Sequence, residues 1–274
     1  MKRPVTDLIE HLKKYNDAVL LVGSKTLQRV LEEETDEDGT TIIKREPLYF
    51  QPDERCSNIY TRKAMIKNPN IFWSFYDNIV LKDPEESTET YDLIKELLDM
   101  NLIKTVVDFN TDGTLSDVKE NYIPLRGNRN TLYCVKCGKK YDISDVNLNT
   151  DKVLMCGDIG NTNCKGKIKP TVPFYYEGYD PELISELFHE IFKYNDEDKP
   201  PIGLNTHTLI IIGADFDEDL IDEIIVGFNQ YKKQDNLTVA MSEGDSIFLN
   251  DYAVDFGTDY DISESLKKLI NMLK

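Results

Sequence analysis

The chain predicts an α/β fold, a wound parallel sheet interrupted by a metal-binding insert, on three observations. Short apolar runs without polar alternation recur along it, amphipathic stretches with helical period lie between them, and four cysteines cluster where that rhythm breaks. Strands buried on both faces read as continuous apolar runs, which is how parallel sheets covered by helices appear in sequence. The first helix is "PVTDLIEHLKKY" at 4–15, followed by the strand "DAVLLVG" at 17–23. In 31–50, an Asp38–Gly39 turn between two runs that can pair predicts a hairpin, with a fraying helix over "TLQRVLEEE" as the rival. Next come the helix "TETYDLIKELLDMN" and the strand "IKTVVDF" at 103–109. Residues 134–164 hold the cysteines and little periodicity. "DPELISELFHEIFKY" predicts a helix with Asp180 as N-cap and Pro181 in its first turn. The strands "HTLIIIG" at 207–213, "LTVAM" at 237–241 and "DSIFLN" at 245–250 follow, and the helix "DISESLKKLINMLK" sets Leu266, Leu269, Ile270 and Leu273 on one face.

Composition narrows the partners. With 274 residues, 32 Lys+Arg against 50 Asp+Glu and a formal charge of −18, the chain offers no average attraction to a phosphate backbone or an anionic membrane. Neither nucleic acid nor membrane is expected as a partner. A basic ligand such as a lysine-containing protein segment would suit the acidic surface, although solubility alone accounts for such a charge. No run of 18 uncharged apolar residues occurs, so neither a span nor a signal peptide is expected.

Cys134, Cys137, Cys156 and Cys164 give the spacing C-x2-C-x18-C-x7-C. Two thiolates from a tight turn and two from a second loop close a tetrahedron around zinc, and a shell of four sulfurs leaves no position for water. The ion expected here is structural. Cys56 has no partner in sequence and is expected to be a structural thiol. Four ligating thiols in a chain with an odd cysteine point to a reducing compartment, the cytoplasm.

Beyond the cysteines, "CKGKIKPTVPFYYE" at 164–177 resembles the sirtuins, the NAD-dependent protein deacylases. That family follows a four-cysteine zinc ribbon with Gly-x-hydrophobic-Lys/Arg-Pro-x-Val-x-Phe-x-x-Glu, which Gly166, Ile168, Lys169, Pro170, Val172, Phe174 and Glu177 resemble. The resemblance implies a Rossmann-like domain from 1–46, 101–125 and 179–274, with a small lobe from 47–100 and 126–178. It extends, more faintly, to "AVLLVGSK" as first strand and phosphate loop, "DFNTDG" as the Thr-Gln-Asn-Ile-Asp-Gly segment, "IPLRGN" as the His-Gly motif, "IIIGADF" as the Gly-Thr-Ser-Leu motif and "IFLND" as the late strand.

Carried over residue by residue, the resemblance places Asn110 and Asp112 against the nicotinamide ribose and carboxamide, with Phe109 in place of glutamine. Gly213 is kept, but Ala214 and Asp215 replace a Thr-Ser pair, and a carboxylate there would repel a diphosphate. Asn250 matches the asparagine that holds the adenosine ribose. The phosphate loop departs most, because Gly23, Ser24 and Lys25 stand where the family has Gly-Ala-Gly. A side chain at Lys25 lies where bare backbone approaches pyrophosphate, although its ammonium could meet another phosphate. Arg126 stands in the seat of the histidine that serves the family as general base, and arginine stays protonated at any working pH. The remaining histidines, His11, His189 and His207, lie on helix faces or at the wrong end of a strand.

The expectation is a divergent sirtuin-family protein with structural zinc that lacks deacylation and acts as a nucleotide-sensing or protein-binding module, with NAD or another nucleotide as ligand. The alternative is an NAD-dependent enzyme, by ADP-ribosyl transfer or NAD glycohydrolysis ahead of lysine deacylation.

Overall fold

The computed structural model of the protein describes residues 5–35, 41–83, 89–160, 163–196, 198–214, 219–242, 254–258 and 261–274. Helix α1 (Val5–Tyr15) leads into strand β1 (Ala18–Val22), and a single turn at Ser24–Leu27 opens the hairpin β2 (Gln28–Thr35) and β3 (Thr41–Pro47). Helices α2 (Arg62–Lys67) and α3 (Pro69–Phe75) precede α4 (Glu89–Leu98), β4 (Ile103–Asp108) and β5 (Asn121–Pro124). The cysteine region contributes β6 (Thr131–Cys134), β7 (Lys140–Asp142), α5 (Cys156–Gly160) and β8 (Ile168–Pro170). Helix α6 (Pro181–Ile191) and the short pair β9 (Phe192–Lys193) and β10 (Gly203–Leu204) return the chain to β11 (Thr208–Ile212), α7 (Asp219–Tyr231), β12 (Leu237–Met241), β13 (Phe256–Thr258) and α8 (Ile262–Leu273).

Six strands form one sheet in the order β13-β12-β11-β1-β4-β5, and every neighbouring pair is parallel. Counted along the chain this is 3-2-1-4-5-6, the order of a dinucleotide-binding sheet, whose direction of winding reverses between β1 and β11. Both faces are covered, which is why the strands read as unbroken apolar runs. Leu20, Val22, Ile210 and Ile212 face α1, α4 and α8, whereas Val19, Leu21, Leu209 and Ile211 face α6 and α7. The Asp180 carboxylate caps α6 by accepting the Glu182 N–H at 3.0 Å. In α8 the predicted stripe of Leu266, Leu269, Ile270 and Leu273 is buried.

The stretch from 47 to 100 divides between two cores. Tyr60, Phe72, Trp73 and Tyr76 pack with the cysteine region, and Tyr91, Ile94 and Leu97 of α4 pack on the sheet. Residues 28–47 form the hairpin and not the rival helix, with Thr35 opposite Thr41. Two sheet strands, β5 and β13, were not anticipated, and "DSIFLN" lies outside the described residues. Among the described residues no helix is long and apolar enough to cross a membrane.

Candidate functional site

In such a sheet the ligand crevice lies outside the carboxyl ends of the strands, where the winding reverses. Here Gly23 ends β1, Gly213 ends β11 and Asp108 ends β4. The Ser24–Leu27 turn folds straight back across this point, with Thr26 and Leu27 buried. Its donors are committed: the Lys25 N–H bonds the Gly213 carbonyl at 2.8 Å, the Thr26 N–H bonds the Gly23 carbonyl at 3.2 Å, and the Thr26 hydroxyl donates to that same carbonyl at 2.6 Å. A Cβ on Gly23 would overlap the backbone of Gly213 and Ala214, and one on Gly213, whose φ is +62°, would lie 2.6 Å from the Thr26 methyl. Both glycines are therefore required for backbone to close on backbone. Donors that would greet a pyrophosphate in a dinucleotide fold are turned inward.

The floor of the crevice is the run Asp108–Asp112, all of it buried. The Asn110 amide donates to the Gly23 carbonyl at 3.2 Å, the Tyr91 hydroxyl at 3.0 Å and Asp108 Oδ1 at 3.2 Å, while its own Oδ1 is buried with no hydrogen-bond partner. Asp112 accepts the Thr114 N–H at 2.8 Å and, more loosely, the Tyr91 hydroxyl at 3.4 Å. Asp108 accepts the Asn110 N–H at 2.9 Å and the Tyr122 hydroxyl at 3.1 Å. Burial first, and then the Asp112 charge, push the Asp108 carboxyl up to about 8. Asp108 was overlooked in sequence, although it stands where the resemblance has threonine and so carried a visible signal.

Arg126 follows β5 at half burial. Its Nη2 donates to the Tyr179 hydroxyl at 3.3 Å, and the guanidinium lies 5.8 Å from that ring's centre. None of the histidines approaches this place: His207 meets Asp17 at 2.7 Å and stacks on Tyr15 at the opposite end of the sheet, beside His11, and His189 sits on an exposed face of α6. Arg129, three residues on, is buried and was not singled out in sequence. It donates to the carbonyls of Asp112 at 3.2 Å and Lys82 at 2.9 Å, pairs with Asp83 and lies 4.7 Å from the Tyr49 ring centre. Asp215 and Asn250, expected at the cofactor, lie outside the described residues.

The four cysteines converge. Their sulfurs all lie within 4.8 Å of one another, and the pairs Cys134–Cys164 and Cys137–Cys156 are each 3.7 Å apart. A tetrahedron of thiolates about 2.3 Å from zinc has edges of about 3.8 Å, so the site suits that ion and is closed to water. Gly138, at φ +70°, makes the first turn, and a Cβ on Gly166 would overlap the Cys134 sulfur. The Tyr141 hydroxyl lies 3.0 Å from the Cys156 sulfur. In the motif after the ribbon, the buried Lys169 ammonium pairs with Glu177, whose carboxylate also accepts the Phe174 N–H at 3.1 Å. That motif is a strut for the ribbon. Cys56 is buried, and its thiol is pushed up by desolvation, consistent with a structural role.

The Sir2 family model matches residues 47–196. An NAD-dependent protein deacetylase of Clostridium acetobutylicum is 31% identical over 116 residues, covering 41% of this chain and 44% of the relative. Another, from Staphylococcus aureus, is 26% identical over 182 residues, covering 66% and 65%. The chain thus spans less than two thirds of the length of these relatives. In fold it is similar to a sirtuin solved to explain substrate affinity, at TM-score 0.67 and 17% identity, with 98% of this chain and 99% of that one covered. A Sir2 complex with p53 peptide and NAD+ gives TM-score 0.64 at 17% identity and 98% coverage of both.

Proposed function

The chain belongs to the Sir2 family, and from that premise we propose that it is a divergent member, built on a structural zinc, that has given up lysine deacylation. It acts as a nucleotide-sensing or protein-binding module in the reducing cytoplasm. What carries this reading is Arg126, which the family resemblance sets at the position of the histidine base and which the fold leaves half-buried against Tyr179. NAD, when bound to such a fold, supplies a ribose from which nicotinamide departs, and deacylation then needs a group to take a ribose hydroxyl proton. An arginine guanidinium is protonated throughout the physiological pH range, so a residue of this type can position an anion but cannot accept that proton. The closed phosphate turn supports the same conclusion. Its Lys25 and Thr26 N–H groups would have to leave the Gly213 and Gly23 carbonyls before a diphosphate could use them.

A second reading has its own support. The resemblance assigns Asn110 and Asp112 to the nicotinamide ribose and carboxamide, and Asn110 Oδ1, buried without a hydrogen-bond partner, is an acceptor such a ligand could use. That half of the pocket would suffice for ADP-ribosyl transfer or NAD glycohydrolysis, reactions that do not call on the missing base.

Incubating the zinc-loaded protein with NAD and an acetyl-lysine peptide, and quantifying free nicotinamide and deacetylated peptide, separates the two. The expected result is neither product above background over hours, with Arg126→His unable to restore deacetylation because the phosphate turn remains shut. Nicotinamide release without peptide would favour the second reading. Deacetylation at an ordinary rate would overturn the first.

A further inference from the structure

An apolar groove of about 480 Å³ opens on the helical part of the small lobe, lined by Ile59 ahead of α2 and by Asn70, Ile71, Ser74, Phe75 and Asn78 after it. The last four recur at i, i+3, i+4 and i+7, one stripe of α3 and of the π turn Tyr76–Val80 that continues it. Single apolar side chains at a surface need no explanation, but Ile59, Ile71 and Phe75 converge on one concavity. Ile71 is 54% exposed, and Ile79 on the π turn 48%. The lining carries no charged side chain, so an apolar guest strands no ion there.

Charge beside the groove reverses that of the molecule. Over residues 54–82 the chain carries five basic side chains and two acidic ones, against 32 and 50 in the whole. Arg62, Lys63 and Lys67 lie exposed on α2, and none of them forms an ion pair among the described residues. Helix α2 joins the two lining segments. Asn68 alone separates it from α3, Arg62 follows Ile59 by three residues and Lys67 precedes Asn70 by three. Three residues span at most about 11 Å, so these cations stand within side-chain reach of whatever fills the groove.

We propose that the groove is a docking site for an acidic amphipathic helical segment of a partner protein. Its apolar stripe packs on Ile59, Ile71 and Phe75, and its carboxylates meet Arg62, Lys63 and Lys67. A second copy of this chain is the poorer occupant, because two bodies at −18 repel over the rest of their surfaces. The groove shares no residue with the crevice. The proposal rests on the protein-binding part of the reading above and gives that part a place and a partner chemistry.

The test uses the full zinc-loaded chain and a fluorescent eighteen-residue peptide with leucine at i, i+3, i+4 and i+7 and glutamate and alanine elsewhere, followed by anisotropy. Ile71→Ser is expected to weaken binding about tenfold, and so is the combined change of Arg62, Lys63 and Lys67 to Gln, which should also remove most of the salt dependence. Both changes fall at exposed positions, and circular dichroism should match the native chain. Lysine in place of glutamate in the peptide should abolish binding. No binding of the acidic peptide, equal binding of the lysine peptide, or affinity that Ile71→Ser leaves unchanged would overturn the proposal. Self-association of the free protein that Ile71→Ser abolishes would assign the groove to a second copy and overturn it likewise. None of these results bears on nicotinamide release or deacetylation, which judge the crevice separately.

Discussion

At the scale of single residues, the crevice floor holds a buried carboxyl, Asp108, whose environment differs from that of any exposed aspartate. Asp108 stands where the family resemblance has threonine, and a carboxyl buried there has a measurable signature. The Asp108 carboxyl rises from 3.8 to about 8 in the folded state, through burial and the neighbouring Asp112. The stability it contributes is therefore present in full below pH 3.8 and is lost as pH climbs through about 8, at a slope approaching 1.4 kcal/mol per pH unit. Chemical denaturation at intervals from pH 5 to 8 should show the native chain weakening steadily relative to Asp108→Asn. In that variant the amide can still accept the Asn110 N–H and can donate to the Tyr122 hydroxyl. Parallel profiles for the two proteins would refute a buried proton at this position. Arg129 offers a second check: Arg129→Ala leaves the Asp112 and Lys82 carbonyls without their donor and should cost about 3 kcal/mol in the same measurement.

At the scale of elements, the ribbon depends on close approach as much as on its ligands. Because a Cβ at Gly166 would overlap the Cys134 sulfur, Gly166→Ala should displace that thiolate and lower bound zinc well below the one ion per chain expected of the native protein, as read by metal analysis. Unchanged zinc content in the variant would show that the ribbon can yield there. A chelator should unfold the ribbon of the native chain while the parallel sheet stays folded, which circular dichroism and amide exchange would separate. Much of this level was legible in sequence, since the unbroken apolar runs of β1, β4, β11 and β12 follow directly from helices on both faces. The cysteine spacing announced the metal in the same way. What escaped were β5 and β13, short edge strands whose half-buried residues carry neither a long apolar run nor clear alternation. The closed turn at Ser24–Leu27 escaped as well. Lys25 marked a departure from a phosphate loop, but the bonding of its N–H to Gly213, some two hundred residues away in sequence, depends on a parallel neighbour that no local pattern names.

At the scale of the whole molecule, a charge of −18 is a standing repulsion that the fold must outweigh. Salt screens it, so raising sodium chloride from 0.05 to 0.3 M should lift the unfolding temperature by about 2–4 °C, the shift produced by roughly 1 kcal/mol in a chain of this size. A fall in that temperature would mean that attractive ion pairs, such as the Lys232–Asp255 contact, dominate over the net charge. The guanidinium of Arg129 sets a different kind of limit. It is gripped at once by oxygens of the aspartate loop and of residues 82–83. Moving either segment alone would break charge-assisted hydrogen bonds that this side chain makes to both. One side chain thus rivets two stretches that lie about thirty residues apart in sequence, and cutting that rivet by Arg129→Ala would free each to move without the other.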